Sequence, residues 1–280
     1  MSARAGLELD DLMDFAVRTV QRAGEITLDH FGSAAVERKG DGSEVTAADR
    51  ASEAFVQAAI RERFPDDAIL GEEGAAVQGT SGRRWIVDPI DATRSFACGV
   101  PLYGVLLALE VGGEAVLGCC HMPALDETLV AATGAGAWLN GRPTRVSSVA
   151  RLDEARVVTS GLEYWRDWST EAGLTGWNRL LASARFGRTW GDCYGYFLVA
   201  TGRVDVLADP ASGNAWDYAP MLPILREAGG RFTALGGGPV RAWSTALATN
   251  GVVHDAAAGC WGGLPDDELQ TEAVRERREG

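Results

Sequence analysis

The chain has 280 residues, 46% of them hydrophobic, and a formal net charge of −13. That length and apolar content suffice for a full core in one large or two small units. With no Lys/Arg cluster before the C-terminal tail and no apolar run of about 18 residues, neither a nucleic acid nor a membrane is an expected partner. Residues 1–14 are polar and acidic with no apolar signal core, so a cytoplasmic protein is expected. Cys98, Cys119, Cys120, Cys193 and Cys260 form no CxxC pair and read as small buried hydrophobes, not zinc ligands.

Leu9, Met13, Ala16, Val17, Val20, Ala23, Thr27 and Phe31 fall on one helical stripe, which predicts a helix from Asp10 or Asp11 to about Phe31, stopped at Gly32. Lys39 precedes a tight turn at Gly40–Ser43. Thr46 and Asp49 have capping-box spacing for a helix over 47–64 that ends before Pro65. Capping alone accounts for both residues; the alternative is that Asp49 orients a water beside a metal. A short strand over 67–70 leads into Gly71-Glu72-Glu73-Gly74, where adjacent carboxylates repel. This is either an exposed acidic turn or a group relieved by a cation.

Arg84 to Val87 reads as a buried strand that stops on Asp88, because Pro89 cannot continue a ladder. Asp91 follows, with Ala92 and Thr93 opening a helix that Asp91 caps. Two carboxylates and the Ile90 carbonyl can therefore converge at a strand end, where oxygen-only ligands suit Mg²⁺ or Mn²⁺. A strand-ending turn with an Asp cap fits the same residues.

Strands over 102–111, 115–121 and 127–132 form an antiparallel run, and Asn140-Gly141 marks a hairpin. A second α/β half begins near Ser148–Leu152. It has strands over 156–160, from 185, over 204–208 and over 246–249, and helices over 174–184 and 192–201. A further helix opens at Ala215 with Asp217 in its first turn, where dipole compensation also explains an Asp, and runs to Gly229-Gly230; Pro220 is tolerable in a first turn, and Pro223 is expected to distort the helix. Residues 1–262 are expected to form one unit with halves of about 1–150 and 151–262, followed by a charged tail over 263–280 that is aperiodic from Pro265 and reads as frayed or as a terminal helix.

Glu72, Asp88, Asp91 and Asp217 thus stand at strand ends or helix starts in a chain with no GxSxG elbow, Cys/His pair or Walker loop. Sharing one site, they would repel unless cations neutralised them, and two or three Mg²⁺ ions would suit hydrolysis of a phosphate ester.

Gly71-Glu72-Glu73, Asp88-Pro89-Ile90-Asp91-Ala92-Thr93 and Trp216-Asp217, with Asp41-Gly42-Ser43 leading to Thr46 and Asp49, resemble the signature of the inositol monophosphatase family. Order and spacing match from about Leu9 to Trp261. The resemblance implies a layered α-β-α-β-α sandwich of the inositol monophosphatase and fructose-1,6-bisphosphatase type. It also implies a homodimer and Mg²⁺-dependent removal of phosphate from a small alcohol ester. Carried over by position, Glu72, Asp88 and the Ile90 carbonyl look like ligands of a first metal, and Asp88, Asp91 and Asp217 of a second. Glu72 with Thr93, or Asp49 with Thr93, looks like the pair that orients the attacking water. The N–H groups of Ala92 and Thr93 would hold phosphate, and Lys39 would lie near the metals. The family usually has Gly where Ala92 stands; a helical backbone there would make Ala harmless, and that is the expectation. Pro220 replaces a small residue after Trp-Asp-x-Ala.

Phe96 to Leu109, Gly191-Asp192-Cys193-Tyr194-Gly195-Tyr196, Ala219 to Phe232 and Ala248-Thr249-Asn250-Gly251 resemble the histidinol-phosphatase branch. Asp192, Asp209, Tyr194 and Trp190 are candidates for the amine and imidazole of histidinol phosphate, with helix capping and core packing as the other reading. A polyol phosphatase, an enzyme of specialised metabolism and an inactive phosphoryl-ligand binder are the alternatives.

Overall fold

A computed structural model describes residues 3–32, 37–38 and 44–279; Lys39 and the turn expected at Gly40–Ser43 lie outside the described residues. The chain forms two compact units, residues 1–143 with 219–224, and residues 144–218 with 225–280.

In the first unit, α1 (Ala3–Leu28) precedes a two-residue ladder of β1 (Glu37–Arg38) and β2 (Glu44–Val45). Then come α2 (Ala47–Arg63), β3 (Ala68–Gly71), β4 (Arg83–Asp91), α3 (Thr93–Ala97), β5 (Gly104–Val111), β6 (Glu114–Met122), β7 (Glu127–Ala132), β8 (Gly136–Leu139) and β9 (Arg142–Thr144). Strands β3 to β9 make one seven-stranded sheet in sequence order, parallel between β3 and β4 and antiparallel from β4 through β8. The stripe Met13, Ala16, Val20 and Ala23 on α1 packs with Val56 and Ile60 of α2 against Trp85, Val87, Leu107 and Leu117. Phe15 and Phe64 extend this core around the Trp85 ring.

The capping box forms: the Thr46 side chain caps α2, and Asp49 Oδ2 accepts the Thr46 N–H at 2.8 Å. The Asn140-Gly141 pair has φ of 47° and 73° and joins β8 to β9. Two expectations around β4 need correction. The strand does not stop at Asp88 but continues to Asp91, with a register shift between Asp88 and Asp91 that lets the chain pass Pro89. Asp91 is not the N-cap of α3; that position is Ala92, with φ 67° and ψ 49° and no side-chain cap.

The second unit contains β10 (Arg156–Val158), α4 (Leu162–Trp168), α5 (Glu171–Ser183), β11 (Phe186–Arg188), α6 (Asp192–Ala200) and β12 (Val206–Asp209). The chain continues with α7 (Ala215–Tyr218), α8 (Met221–Glu227, whose residues up to Ile224 count with the first unit), β13 (Arg231–Thr233), β14 (Ala246–Thr249), α9 (His254–Ala258), α10 (Asp266–Leu269) and α11 (Glu272–Glu279). Its sheet has the order β11-β10-β12-β14-β13, parallel among β11, β10 and β12, antiparallel on either side of β14. Trp165 stacks on Trp177 at 4.9 Å between rings, and both join Trp261, Val206 and Leu247 in one core. The helix expected from Ala215 is two short ones, broken at Pro220, which supplies no N–H to carry it through, and not at Pro223, which lies inside the first turn of α8 where its missing N–H costs nothing.

Of the two readings of the charged stretch over 263–280, the terminal helix is the one that forms, as α11 after α10, and the stretch is built into this unit and not frayed from it. Leu269 and Val274 are buried. The Gln270 amide donates to the Pro210 and Trp243 carbonyls at 2.6 and 2.9 Å. Two short helices carry too few turns to show an apolar period in sequence. All five cysteines are free. No helix among the described residues is long and apolar enough to cross a membrane.

Candidate active site

The parallel ladder of β3 and β4 pairs Gly71 with Val87. The next residues, Glu72 just past the end of β3 and Asp88 within β4, are therefore neighbours at the carboxyl end of β3. Carboxyl ends of parallel strands are where α/β folds collect ligand-binding groups. Asp88 and Asp91 are 1% and 7% exposed, and each offers a carboxylate oxygen to a group whose oxygens lie within 4.8 Å of one another. The bend at Pro89 brings them together, since regular strand would place residues three apart on opposite faces. Asp88 Oδ1 accepts the Ile90 N–H at 3.1 Å, and the Thr93 hydroxyl donates to the Ile90 carbonyl at 3.1 Å. Ile90, Asp91 and Thr93 are thus tied to one turn. Two buried carboxylates this close repel, and an all-oxygen donor set with that charge fits a hard divalent cation.

Asp49 is fully buried on the first turn of α2. Its Oδ2 takes both the Thr46 N–H and, at 2.6 Å, the Thr46 hydroxyl. Ser52, one helical step on, donates to the Pro89 carbonyl at 3.4 Å and so links α2 to the Asp88–Asp91 bend. Glu72 is half-buried. Ala92 takes up the left-handed conformation, which corrects the expectation of a helical backbone there. Its methyl packs beside Ile90, Phe96 and Tyr103.

In the second unit, Asp217 lies on α7, and its Oδ2 accepts the Asn214 N–H at 2.6 Å. Gly213 before it has φ 74°, and a Cβ there would stand 2.1 Å from Asp217 Oδ2, so only glycine fits. Asp209 is 3% exposed at the end of β12. Its oxygens accept the Thr159 hydroxyl at 2.6 Å, the Ser160 N–H at 2.8 Å and the Ser160 hydroxyl at 2.6 Å. Burial, with a smaller push from the nearby Asp192 charge, raises its carboxyl to about 7 against those donors. Ser160 Oγ in turn accepts the Asp192 N–H at 2.7 Å. Asp192, half-buried with φ 51°, starts α6. Asp209 therefore holds the loop that carries Asp192. Trp190 is 40% exposed beside it.

Sequence reasoning passed over Ser160, which forms this link, and Glu53, which is buried one turn after Asp49. A charged residue on the apolar stripe of α2 was the available signal for Glu53.

The inositol monophosphatase family model matches residues 8–275. The chain belongs to the inositol monophosphatase family. This membership makes it a phosphatase, a hydrolase of phosphate monoesters. It is 44% identical to a histidinol-phosphatase of Chlorobaculum parvum, over 78% of this chain and 83% of that protein. It is 40% identical to a histidinol-phosphatase of Mycobacterium tuberculosis, over 88% and 95%. The structure of an IMPase from Thermotoga maritima superposes with a TM-score of 0.80 at 32% identity, covering 95% of this chain and 99% of that one. The fold is thus the α/β sandwich of the inositol monophosphatases. The family's metal dependence agrees with the acidic donor set at the end of β4.

Proposed function

We propose that this inositol monophosphatase family member is a Mg²⁺-dependent phosphomonoesterase that converts histidinol phosphate to histidinol and phosphate. The observation that carries the metal reading is the buried Asp88–Asp91 pair beside Glu72. Glu72, Asp88 and the Ile90 carbonyl would hold one cation, and Asp88, Asp91 and Asp217 another; Mn²⁺ could replace Mg²⁺. When bound, the cations would neutralise these carboxylates, acidify a water and steady the leaving oxygen.

The protein groups do the rest. The Thr93 hydroxyl spends its hydrogen on the Ile90 carbonyl, so towards a water it acts as acceptor and fixes the orientation of one water proton. Glu72 or Asp49 takes the other proton. The Ala92 and Thr93 N–H groups would hold the phosphate.

Histidinol as the alcohol is supported by the two relatives of that name. It is also supported by Asp192, whose carboxylate suits a primary amine, next to the exposed Trp190, a partner for imidazole. Asp209 serves this reading through Ser160. An inositol or other polyol phosphate is the second reading, favoured by the likeness to the Thermotoga IMPase. Action in the cytoplasm as a homodimer accompanies either reading. The test is phosphate release with Mg²⁺ from histidinol phosphate, inositol 1-phosphate, fructose 1,6-bisphosphate and an adenosine bisphosphate. The account expects histidinol phosphate to be preferred. Preference for a polyol phosphate would move the substrate and leave the metal chemistry; no release from any would refute the substrate reading in both forms.

A further inference from the structure

Glu53 is a charged residue in an apolar place. It sits on α2 one turn after Asp49 and is 2% exposed. Its Oε2 accepts the Glu73 N–H at 2.8 Å, and its Oε1 accepts the Gln57 amide at 2.8 Å. Gln57 Oε1 accepts Arg61 Nη2 at 2.9 Å. The three side chains run i, i+4, i+8 down one face of α2, so the buried charge reaches an exposed guanidinium through one amide.

The turn that receives Glu53 is shaped for it. A Cβ on Gly71 would stand 2.3 Å from Glu53 Oε1, and one on Gly74 would stand 2.6 Å from the same oxygen and 2.8 Å from Gln57 Nε2. Neither glycine has a positive φ. Close approach of the carboxylate, not backbone conformation, is what glycine accommodates at both positions: a Cβ there would push the Glu53 carboxylate away from the turn. Gly71 and Gly74 bracket Glu72 and Glu73, so the clamp closes on the backbone that presents Glu72.

We propose that Glu53 is a positioning residue for Glu72: its carboxylate, braced by Gln57 and Arg61, fixes the Gly71–Gly74 turn so that Glu72 meets cation and water at one place. The inference rests on Glu72 being a metal ligand, as argued above. It assigns to Glu53 no contact with substrate. Partners one hydrogen bond behind a ligand change metal affinity or activity by about 10- to 100-fold when removed; Glu53 acts one residue further off, through the Glu73 N–H, so the lower end applies.

The geometry also yields a rescue. In E53Q the amide oxygen still accepts the Glu73 N–H, but the amide nitrogen then faces the Gln57 amide nitrogen, donor against donor. Turning Gln57 over would set its nitrogen against Arg61. In E53Q/Q57E the amide at 53 donates to the carboxylate at 57, which still accepts Arg61. Every hydrogen bond returns and the net charge matches wild type.

The experiment measures Mg²⁺ binding by calorimetry and the Mg²⁺ dependence of phosphate release for wild type, E53Q, E53Q/Q57E and E72Q. E53Q should need about tenfold more Mg²⁺ for half-saturation, with a smaller loss of turnover at saturating Mg²⁺. E53Q/Q57E should return towards wild type, which a role in fold stability alone would not require of the Mg²⁺ midpoint. Wild-type Mg²⁺ binding in E53Q overturns the proposal, and so does a loss that Q57E leaves unrescued. If E53Q does not fold, E53D supplies the same reading, since it keeps the charge and shortens the reach. E72Q separates the two levels: wild-type Mg²⁺ binding in E72Q overturns the ligand assignment beneath the clamp, whereas a weakened E72Q with a normal E53Q overturns the clamp alone.

Discussion

Ala92 is held at φ 67° and ψ 49°, where an L-residue brings its Cβ against the following carbonyl oxygen. That conformation costs about 1–2 kcal/mol relative to glycine. Ala92→Gly would release this strain. The freer unfolded chain takes back about 0.4–1 kcal/mol. Loss of a half-buried methyl beside Ile90, Phe96 and Tyr103 takes back a further ~0.4 kcal/mol, half of a buried CH₂. The net expectation is a gain of about 0.5 kcal/mol, or roughly 1–2 °C in melting temperature for a chain of this size. Ala92→Val goes the other way by more than about 1 kcal/mol, because a β-branched side chain is poorly tolerated there. Chemical denaturation followed by tryptophan fluorescence and thermal melts should rank the variants Gly, Ala, Val. A helical position would reverse the first pair, with Ala92→Gly losing about 1 kcal/mol. That result would refute the left-handed assignment, and with it the way the Ala92 and Thr93 N–H groups are aimed.

A Cβ added at Gly118 on β6 would lie 1.9 Å from the Pro220 carbonyl oxygen, a backbone atom with little room to yield. Gly118→Ala should therefore cost about 1–3 kcal/mol in chemical denaturation, and an unchanged midpoint would contradict the packing. Asp209 titrates near 7 in the folded chain against an ordinary value of 3.8. Between those values the folded state binds the extra proton, so stability falls as pH rises from about 4 to about 7, by at most about 1.4 kcal/mol per pH unit, and levels off above. Asp209→Asn should remove that slope in melts between pH 5 and 8; parallel pH profiles for wild type and variant would contradict the assignment.

The sequence carried some of these features openly and hid others for definable reasons. The Thr46–Asp49 box and the Asn140-Gly141 hairpin are local, set by residues within one turn of each other, and both form as read. The bend at Pro89 was taken for a strand end because the proline's missing N–H is visible in sequence, while the resumed pairing of Asp91 with Gly104 is not. Ala92 gave no sign of its left-handed backbone, since alanine is the residue least expected there. Its conformation is imposed by Asp91 on one side, paired in the sheet, and Phe96 on the other, anchored in the core. The burial of Gln270 against Pro210 and Trp243 joins segments far apart in sequence, so the tail read only as charged. Glu53 was legible as an anomaly on α2 but not as a clamp, because the turn it grips lies about 20 residues away. Glu72, Asp91 and Asp217 were legible because each stands where a strand ends or a helix begins, and Asp88 because Pro89 follows it.

The most direct test of the account is Mg²⁺-dependent phosphate release by wild type and Asp88→Asn. That change keeps the size of the side chain and removes one charge from the buried pair. The account predicts release by wild type that stops on chelation, and a loss of about 10³-fold or more in Asp88→Asn, some 4 kcal/mol of barrier, with unchanged circular dichroism. Undiminished release in chelator, or wild-type turnover by Asp88→Asn, would contradict it.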